Sequence, residues 1–503
     1  MKDASTMASQ QDGEQEQTQP AKHECFLCLL DPARPCSTRQ LEGHIVAAYE
    51  RSINGKPLPF ILLRTPHFLA SLALTDYYLG FVRDLCTRGP IIRELALRVY
   101  HLPTEPEILE YQGEPLHRYT ANSYTLAVLE PDILLNITDL AQAHYCSRQY
   151  LLNRLVSSPP SAATIRGNLV HYCFNELLKA HDRDHTLARN EFNSLATPLS
   201  LLHSYLEQGL QQYQLELALA NVPLEQMRAE VVSHLESLAT WYQSQSTTLW
   251  DMPSAYVNEQ AAAQPREGNR VRAETFLLAP EIGLRGRLDL FWEQAGQQRL
   301  LELKTGGSTG DLPKPDHRRQ VHGYHAQLLV RHNSTLKKAL ATLLYSGTLG
   351  EAQAYGISFT LRELQRVNET RNILALSHAT GMPSAPPAPS RCRKCSMLAH
   401  CAHISSLLGW QPPQTDETQD RANPCSEDSA FFAKYYWLLH SEGRTGEQQL
   451  ALLWKENVEQ RDERGVIIDG LELEKTEAAA QGDWLQTFHC VNKSELRKGD
   501  EIL

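Results

Sequence analysis

Gly286-Arg287-Leu288-Asp289-Leu290-Phe291-Trp292 and, after a polar break, Leu300-Leu301-Glu302-Leu303-Lys304 decide the fold. Each run is short and apolar, with polar residues or glycine at its ends, which is the composition of a buried strand. The break, Glu293 to Gln298 around Gly296, suits a hairpin turn. Side chains alternate along a strand, so Glu302 and Lys304 project from one face and Asp289 on the neighbouring strand can join them. Two carboxylates beside an ammonium are the minimal apparatus for metal-dependent cleavage of a phosphodiester. Carboxylates hold hard Mg²⁺ or Mn²⁺. A bound ion polarises a phosphoryl oxygen and activates a water, and Lys304 can orient that water or neutralise transition-state charge. The bland alternative is a surface hairpin with a cross-strand ion pair. Against it, both acids interrupt apolar strands, where a charge without a task is costly to bury.

Around this hairpin stand further candidates. His171 follows Gly167 at a helix start; an imidazole is an acceptable third ligand, or the residue is a partly buried helix histidine. Glu274 is either another acidic contact or a solvated strand end. Gln320 and Tyr324 follow His317-Arg318-Arg319 and share one helix face. They either position a phosphate or the lysine, or pack. Arg285, Arg287, Arg318, Arg319, Arg393 and Lys394 are candidates for backbone phosphates. Tyr150 and Trp292 suit base stacking or, more simply, core packing.

Arg391-Cys392-Arg393-Lys394-Cys395 and Cys401 read C-x2-C-x5-C. The candidate fourth thiolate is Cys146, on a helix expected over 137–155. A Cys₄ set suits zinc or an iron–sulfur cluster, and spacing leaves both open beside plain packing thiols. So distant a ligand would clasp the two ends of the region holding the acids. Near the start, Cys25, Cys28 and Cys36 with His44 or His23 match a structural zinc knuckle, or are free thiols in a leader. Cys86, Cys173, Cys425 and Cys490 are isolated and read as packing residues.

The chain has 503 residues, enough for two to four domains. A net charge of −11 excludes a basic nucleic-acid coat, so a polyanion would be held locally. Residues 1–22 are polar and carry no secretory signal, reading as a disordered tail. The apolar stretch 59–82 is too interrupted for a membrane span. Eleven cysteines without a signal argue for a reducing compartment, cytoplasmic or, in a eukaryote, nuclear. Residues 23–123 read as an N-terminal module, helical over 46–86 and β-rich over 90–135. Helices are expected over 166–180, 200–246, 316–332 and 360–376, strands over 272–304, and a strand or helix–strand junction over 337–345. Residues 382–390 are a proline-rich connector and 411–430 a linker. Residues 431–503 mix one helix with short strands and read as a partial β-barrel-like module.

In order, Cys146-Ser147-Arg148-Gln149-Tyr150-Leu151-Leu152, Gly167 to His171, Gly286 to Asp289, Glu302-Leu303-Lys304, Gln320 to Tyr324 and the closing cysteines resemble a known family. It is the RecB-type nucleases of the PD-(D/E)xK superfamily, in their iron–sulfur branch. Leu129-Glu130-Pro131-Asp132-Ile133-Leu134 and Ser494 to Asp500 are most similar to the nuclease half of the replication nuclease–helicase family. The resemblance implies an α/β, restriction-endonuclease-like core over 124–405 with helical insertions. A [4Fe-4S] cluster on Cys146, Cys392, Cys395 and Cys401 would close it. It implies His171, Asp289 and Glu302 as ligands of Mg²⁺ or Mn²⁺, Lys304 as catalytic, and Gln320 and Tyr324 as the motif on the following helix. The expected activity is a metal-dependent deoxyribonuclease on single-stranded or flap DNA, with repair or phage defence as settings. Relatives carry a barrel and a helicase after the cluster. Here no G-x4-G-K-[ST] occurs, since Gly55-Lys56 is followed by Pro57; a helicase partner would be a separate chain. Two rival readings are a non-catalytic iron–sulfur DNA-binding subunit of a helicase complex and an RNA-directed nuclease.

Overall fold

A computed structural model describes residues 40–490, apart from 103–104, 157–159, 188–196, 251–270, 295–296, 308–311, 332–338, 348–350, 414–424, 469 and 479–483. Asn54-Gly55 is a two-residue turn with both φ angles positive, 53° and 74°, the geometry that right-twisted antiparallel strands require. It joins β1 (Leu41–Ile53) to β2 (Lys56–Arg64). With β3 (Leu69–Ala73), β4 (Ala96–Tyr100), β5 (Glu107–Tyr111), β6 (Glu114–Thr120) and β7 (Leu126–Leu129) they form a seven-stranded sheet, order β5-β6-β3-β2-β1-β4-β7. The helical expectation for 46–86 is corrected: only α1 (Leu79–Thr87) is α-helix there. Runs of five apolar residues carry no period that separates helix from strand.

The second sheet contains β8 (Leu135–Asn136), β9 (Val271–Ala279), β10 (Leu284–Gln294), β11 (Gln297–Lys304), β12 (Ala339–Tyr345) and β13 (Gln353–Ile357). Its order is β13-β12-β11-β10-β8, with β9 also on β10. β10 and β11 pair antiparallel, β11 and β12 parallel. The parallel pair needs a crossover, supplied by α8 (Pro315–Arg331). Before it come α2 (Ile137–Ala143), α3 (Gln149–Leu155), α4 (Ala162–Leu187), α5 (Pro198–Gln212), α6 (Gln214–Leu219) and α7 (Leu224–Trp250). After it come α9 (Leu361–Thr380), α10 (Pro389–Cys392), α11 (Leu398–Leu408), α12 (Ser426–Lys455) and α13 (Val458–Glu463). The chain is thus mixed α/β. Two cores share the second sheet. One joins it to α2, α8, α9 and the seven-stranded sheet; the other packs Leu290, Trp292, Leu301, Leu303 and Leu344 against α4, α5 and α7. The single helix expected over 137–155 is two, and Cys146 lies in the break.

Leu129 to Ile133 knots the sheets together. Arg371, wholly buried on α9, donates to the carbonyls of Leu129, Glu130 (2.6 Å) and Ile133 (2.8 Å). Burial pushes its pKa down to about 10. Glu130 returns the contact, accepting Ala96 N–H at 2.7 Å and Arg444 at 3.2 Å.

For 431–503 the helix with short strands is present, but the described strands pair as a hairpin and not as part of a barrel. Among the described residues that segment is the 30-residue α12, α13 and one antiparallel hairpin, β14 (Glu472–Ala478) with β15 (Trp484–His489). The linker ends earlier than expected, because Cys425 caps α12 by accepting Asp428 N–H. Of the isolated cysteines only Cys173 is buried; Cys86, Cys425 and Cys490 are exposed. No described helix is long and apolar enough to cross a membrane.

Candidate active site

Three local devices place the acids. First, the β10–β11 ladder ends at Leu290↔Leu301, one pair short of Asp289 and Glu302. There Asp289 Oδ2 accepts Leu303 N–H at 2.7 Å, standing in for a backbone carbonyl. Second, β10, α8 and α2 meet closely because Gly286 and Gly323 carry no side chain. A Cβ at Gly286 would lie 2.9 Å from Tyr324 of α8 and 2.9 Å from Ile137 of α2, and one at Gly323 2.7 Å from Ile137. The approach lets Tyr324 OH donate to Arg287 O at 2.6 Å. Third, α4 comes from the opposite core, with Leu169 and Val170 buried, and brings His171 Nδ1 to 3.0 Å from Asp289 Oδ1.

Glu302 is 2% exposed. Its Oε1 accepts Lys304 Nζ at 2.7 Å and Gln320 Nε2 at 2.6 Å. Its Oε2 is buried with no partner. Burial and the Asp289 charge push the Glu302 carboxyl up to about 7, against the pull of Lys304. Burial also works to raise Asp289, but His171, Lys304 and the Leu303 amide outweigh it and hold the carboxyl below its usual range. For His171 and Lys304 burial favours the neutral form. Asp289 overcomes it at the imidazole, and Glu302 with Asp289 at the ammonium, so both stand above their ordinary values. Gln320 Nε2 lies 3.4 Å from Tyr324 OH, so the expected i, i+4 pair does share one face. The structure therefore brings together His171, Asp289, Glu302, Lys304, Gln320 and Tyr324. One orphaned carboxylate oxygen remains in an otherwise satisfied cluster, a donor set that fits a hard divalent cation. Among the described residues no three His, Cys, Asp or Glu side chains are already arranged to hold an ion. Protein donors engage both Asp289 oxygens and one of Glu302.

Cys146, Cys392, Cys395 and Cys401 line one cavity, whose wall includes Tyr145 and Arg148. Four thiols around one space offer the donor chemistry of a Cys₄ centre of either kind, without being drawn together into an ion-holding group. Protein bonds already hold the two ends together. Arg148 donates to Gln411 O at 2.7 Å and Ser405 Oγ at 3.0 Å. Tyr145 OH donates to Arg391 O at 2.6 Å, and Arg391 returns bonds to the carbonyls of His144 and Tyr145. Cys25, Cys28 and Cys36 lie outside the described residues. His44 is an exposed residue of β1, and no metal-holding group forms around it among the described residues.

Tyr150 and Trp292 are core residues, and Tyr150 OH bonds His378 Nδ1 at 2.7 Å. Arg285 donates to Asn136 Oδ1 at 3.1 Å. Arg287, Arg318, Arg393 and Lys394 are exposed and Arg319 half-buried. Sequence reasoning missed Asn175, one helical turn beyond His171, which donates to Glu274 Oε1 at 2.6 Å. Its signal is a lone amide after the apolar Cys173-Phe174, at i+4 from the histidine.

Residues 107–294 match the model of a family described as DNA replication factor Dna2. The match takes in Cys146, His171 and Asp289 and ends before Glu302. No curated protein matches the chain. A solved structure described as the crystal structure of SSO0001 is 17% identical, covers 45% of this chain and 93% of its own, and has a TM-score of 0.21. So loose a likeness carries no argument about fold or function.

Proposed function

We propose that this site is a PD-(D/E)xK-type active centre that hydrolyses the phosphodiester backbone of single-stranded or flap DNA. The observation carrying the reading is the buried, unpartnered Oε2 of Glu302, set among Asp289, His171 and Lys304. The replication-factor match over the first half of the site supports DNA as the substrate. When bound by His171, Asp289 and Glu302, Mg²⁺ or Mn²⁺ supplies Lewis acidity at phosphorus and a nucleophilic water near neutral pH.

The chain's own groups do the positioning. Lys304 keeps its proton well beyond neutral pH, so it offers a fixed positive charge to the phosphate as charge builds in the transition state. The Leu303 amide and His171 keep Asp289 ionised. Gln320 fixes the Glu302 carboxylate from α8, and Tyr324 anchors β10 through the Arg287 carbonyl. The four thiols hold a [4Fe-4S] cluster that staples the domain, with zinc as the rival occupant. A broad absorbance near ~400 nm with bound iron decides between them. A helicase presents the strand.

The test is cleavage of an end-labelled single-stranded oligonucleotide with Mn²⁺, parent beside Lys304→Ala. A loss of about 10²-fold or more in kcat is expected from removing one transition-state contact. Equal turnover by the two forms rejects the assignment. Binding without cleavage by either form would instead make the chain a DNA-holding subunit. Equal cleavage of a ribo-substituted oligonucleotide would remove the restriction to DNA.

A further inference from the structure

Glu274 has φ +48° in the middle of β9. Non-glycine residues seldom enter the left-handed region, and such strain persists only where the surroundings enforce it. Pairing of β9 with β10 runs through Leu288↔Thr275 and Leu290↔Ala273, with no pair at the level between them, which is that of Glu274 and Asp289. Packing changes side at the same level. Leu277 and Leu288 belong to the first core, whereas Ala273 and Leu290 pack in the second. A regular strand keeps residues two apart on one face, so both strands turn over here. Asn175 secures the turn. It is 2% exposed, its Nδ2 donates to Glu274 Oε1 at 2.6 Å, and its Oδ1 is buried without a partner. Four residues separate it from His171, so both lie on one face of α4.

We infer that Glu274 is a positioning residue of the proposed nuclease site. Its left-handed turn rotates Asp289 toward α4, and its bond to Asn175 sets the helical turn that delivers His171 to Asp289. The inference rests on the catalytic reading of Asp289 and gives Glu274 no contact with substrate. Arg287, 3.6 Å from Glu274 Oε2 and largely exposed, contributes little to the arrangement.

The backbone and side-chain roles separate by substitution. Asn175→Asp sets two carboxylates against each other. Adding Glu274→Gln restores a donor facing an acceptor with the polarity reversed. On single-stranded oligonucleotide with Mn²⁺, Asn175→Asp should lower kcat at least ~10-fold with KM little changed, and the double variant should recover to within about threefold, as expected for misplaced then restored geometry. Glu274→Gly accepts the left-handed backbone but deletes the acceptor of the Asn175 bond and should fall about as far as Asn175→Asp, whereas β-branched Glu274→Val loses both the bond and the turn and should fall further. Melting temperatures are measured in parallel and rates taken well below them. A purely architectural Glu274 would lower the melting temperature while folded protein turned over at the parent rate. That result, or a double variant no better than Asn175→Asp, overturns the inference. Should Glu274→Val fail to fold, the single and double variants decide alone. If Lys304→Ala matches the parent, the catalytic reading itself fails. If Lys304→Ala is inactive while Asn175→Asp is fully active, only the positioning role fails.

Discussion

Glutamine at position 302 should make the metal-free protein more stable than the parent at pH 8, and that advantage should shrink on acidification. The folded site pushes the Glu302 carboxyl up to about 7, from 4.5. Between these values the native chain holds a proton that the unfolded chain has released. A group with a raised folded pKa contributes stability that is complete below its unfolded pKa and lost as pH rises through the folded one. At 1.36 kcal/mol per pKa unit, ionising Glu302 inside the fold forfeits about 2–3 kcal/mol between pH 5 and pH 8. Glutamine does not ionise, yet its carbonyl can still accept from Lys304 and Gln320. The parent's own pH profile mixes several groups. His171, raised by Asp289 against burial, works in the same direction as Glu302. Burial lowers His101, His317 and His322 to about 4 and His325 to about 3, so these oppose acidification below 6.5. Subtracting the variant's profile from the parent's removes the histidines remote from the site. The assay is urea unfolding in EDTA at four pH values from 5 to 8. A parent-to-variant gap that stays constant across that range would refute the buried, charge-penalised Glu302. The same variant should not cleave DNA, so stability is gained where function is lost.

Arg371→Met should cost about 2 kcal/mol in urea unfolding: the carbonyls of Leu129 and Ile133 lose their partner at roughly 1–3 kcal/mol each, less the relief of no longer burying a guanidinium, while the Glu130 carbonyl keeps the Ile133 N–H. A variant as stable as the parent would show that the Leu129–Ile133 knot does not hold the sheets. Cys146→Ala should release the bound iron or zinc, read by metal analysis, while Arg148 and Arg391 keep the two ends joined. Parent metal content in that variant excludes Cys146 from the centre. Tyr324→Phe should leave the Arg287 carbonyl unpaired, at about 1–3 kcal/mol, and slow cleavage severalfold; unchanged melting and rate would remove its anchoring role.

Residues at the centre of the candidate site were easier to read than those that support them. Asp289, Glu302 and Lys304 stand out because charge interrupts apolar strands, and a two-residue spacing alone puts Glu302 and Lys304 on one face. The N-terminal sheet is harder. Ile45–Tyr49 and Phe68–Leu72 are too short to show a period, so helix and strand fit equally. Gly55-Lys56 fails as a phosphate loop, but the overlapping Asn54-Gly55 is the strongest short-range hairpin signal and carries the strand answer. The break between α2 and α3 has no proline or glycine to announce it; the segment is held open by Tyr145, Arg148 and their partners some 250 residues on.

The orientation of Asp289 shows where local reading ends. Regular alternation would set Leu288 and Leu290 together on one face and Asp289 on the other. The fold instead divides the two leucines between different cores, so Asp289 faces its partners through a departure from the strand period. A left-handed glutamate costs about 1–3 kcal/mol, so no isolated strand would choose it. The bond that enforces it comes from Asn175, 99 residues earlier on a helix. Any window short enough to define a strand contains Glu274 without Asn175. The pattern therefore reveals which acids are present, and only tertiary structure determines that they meet His171.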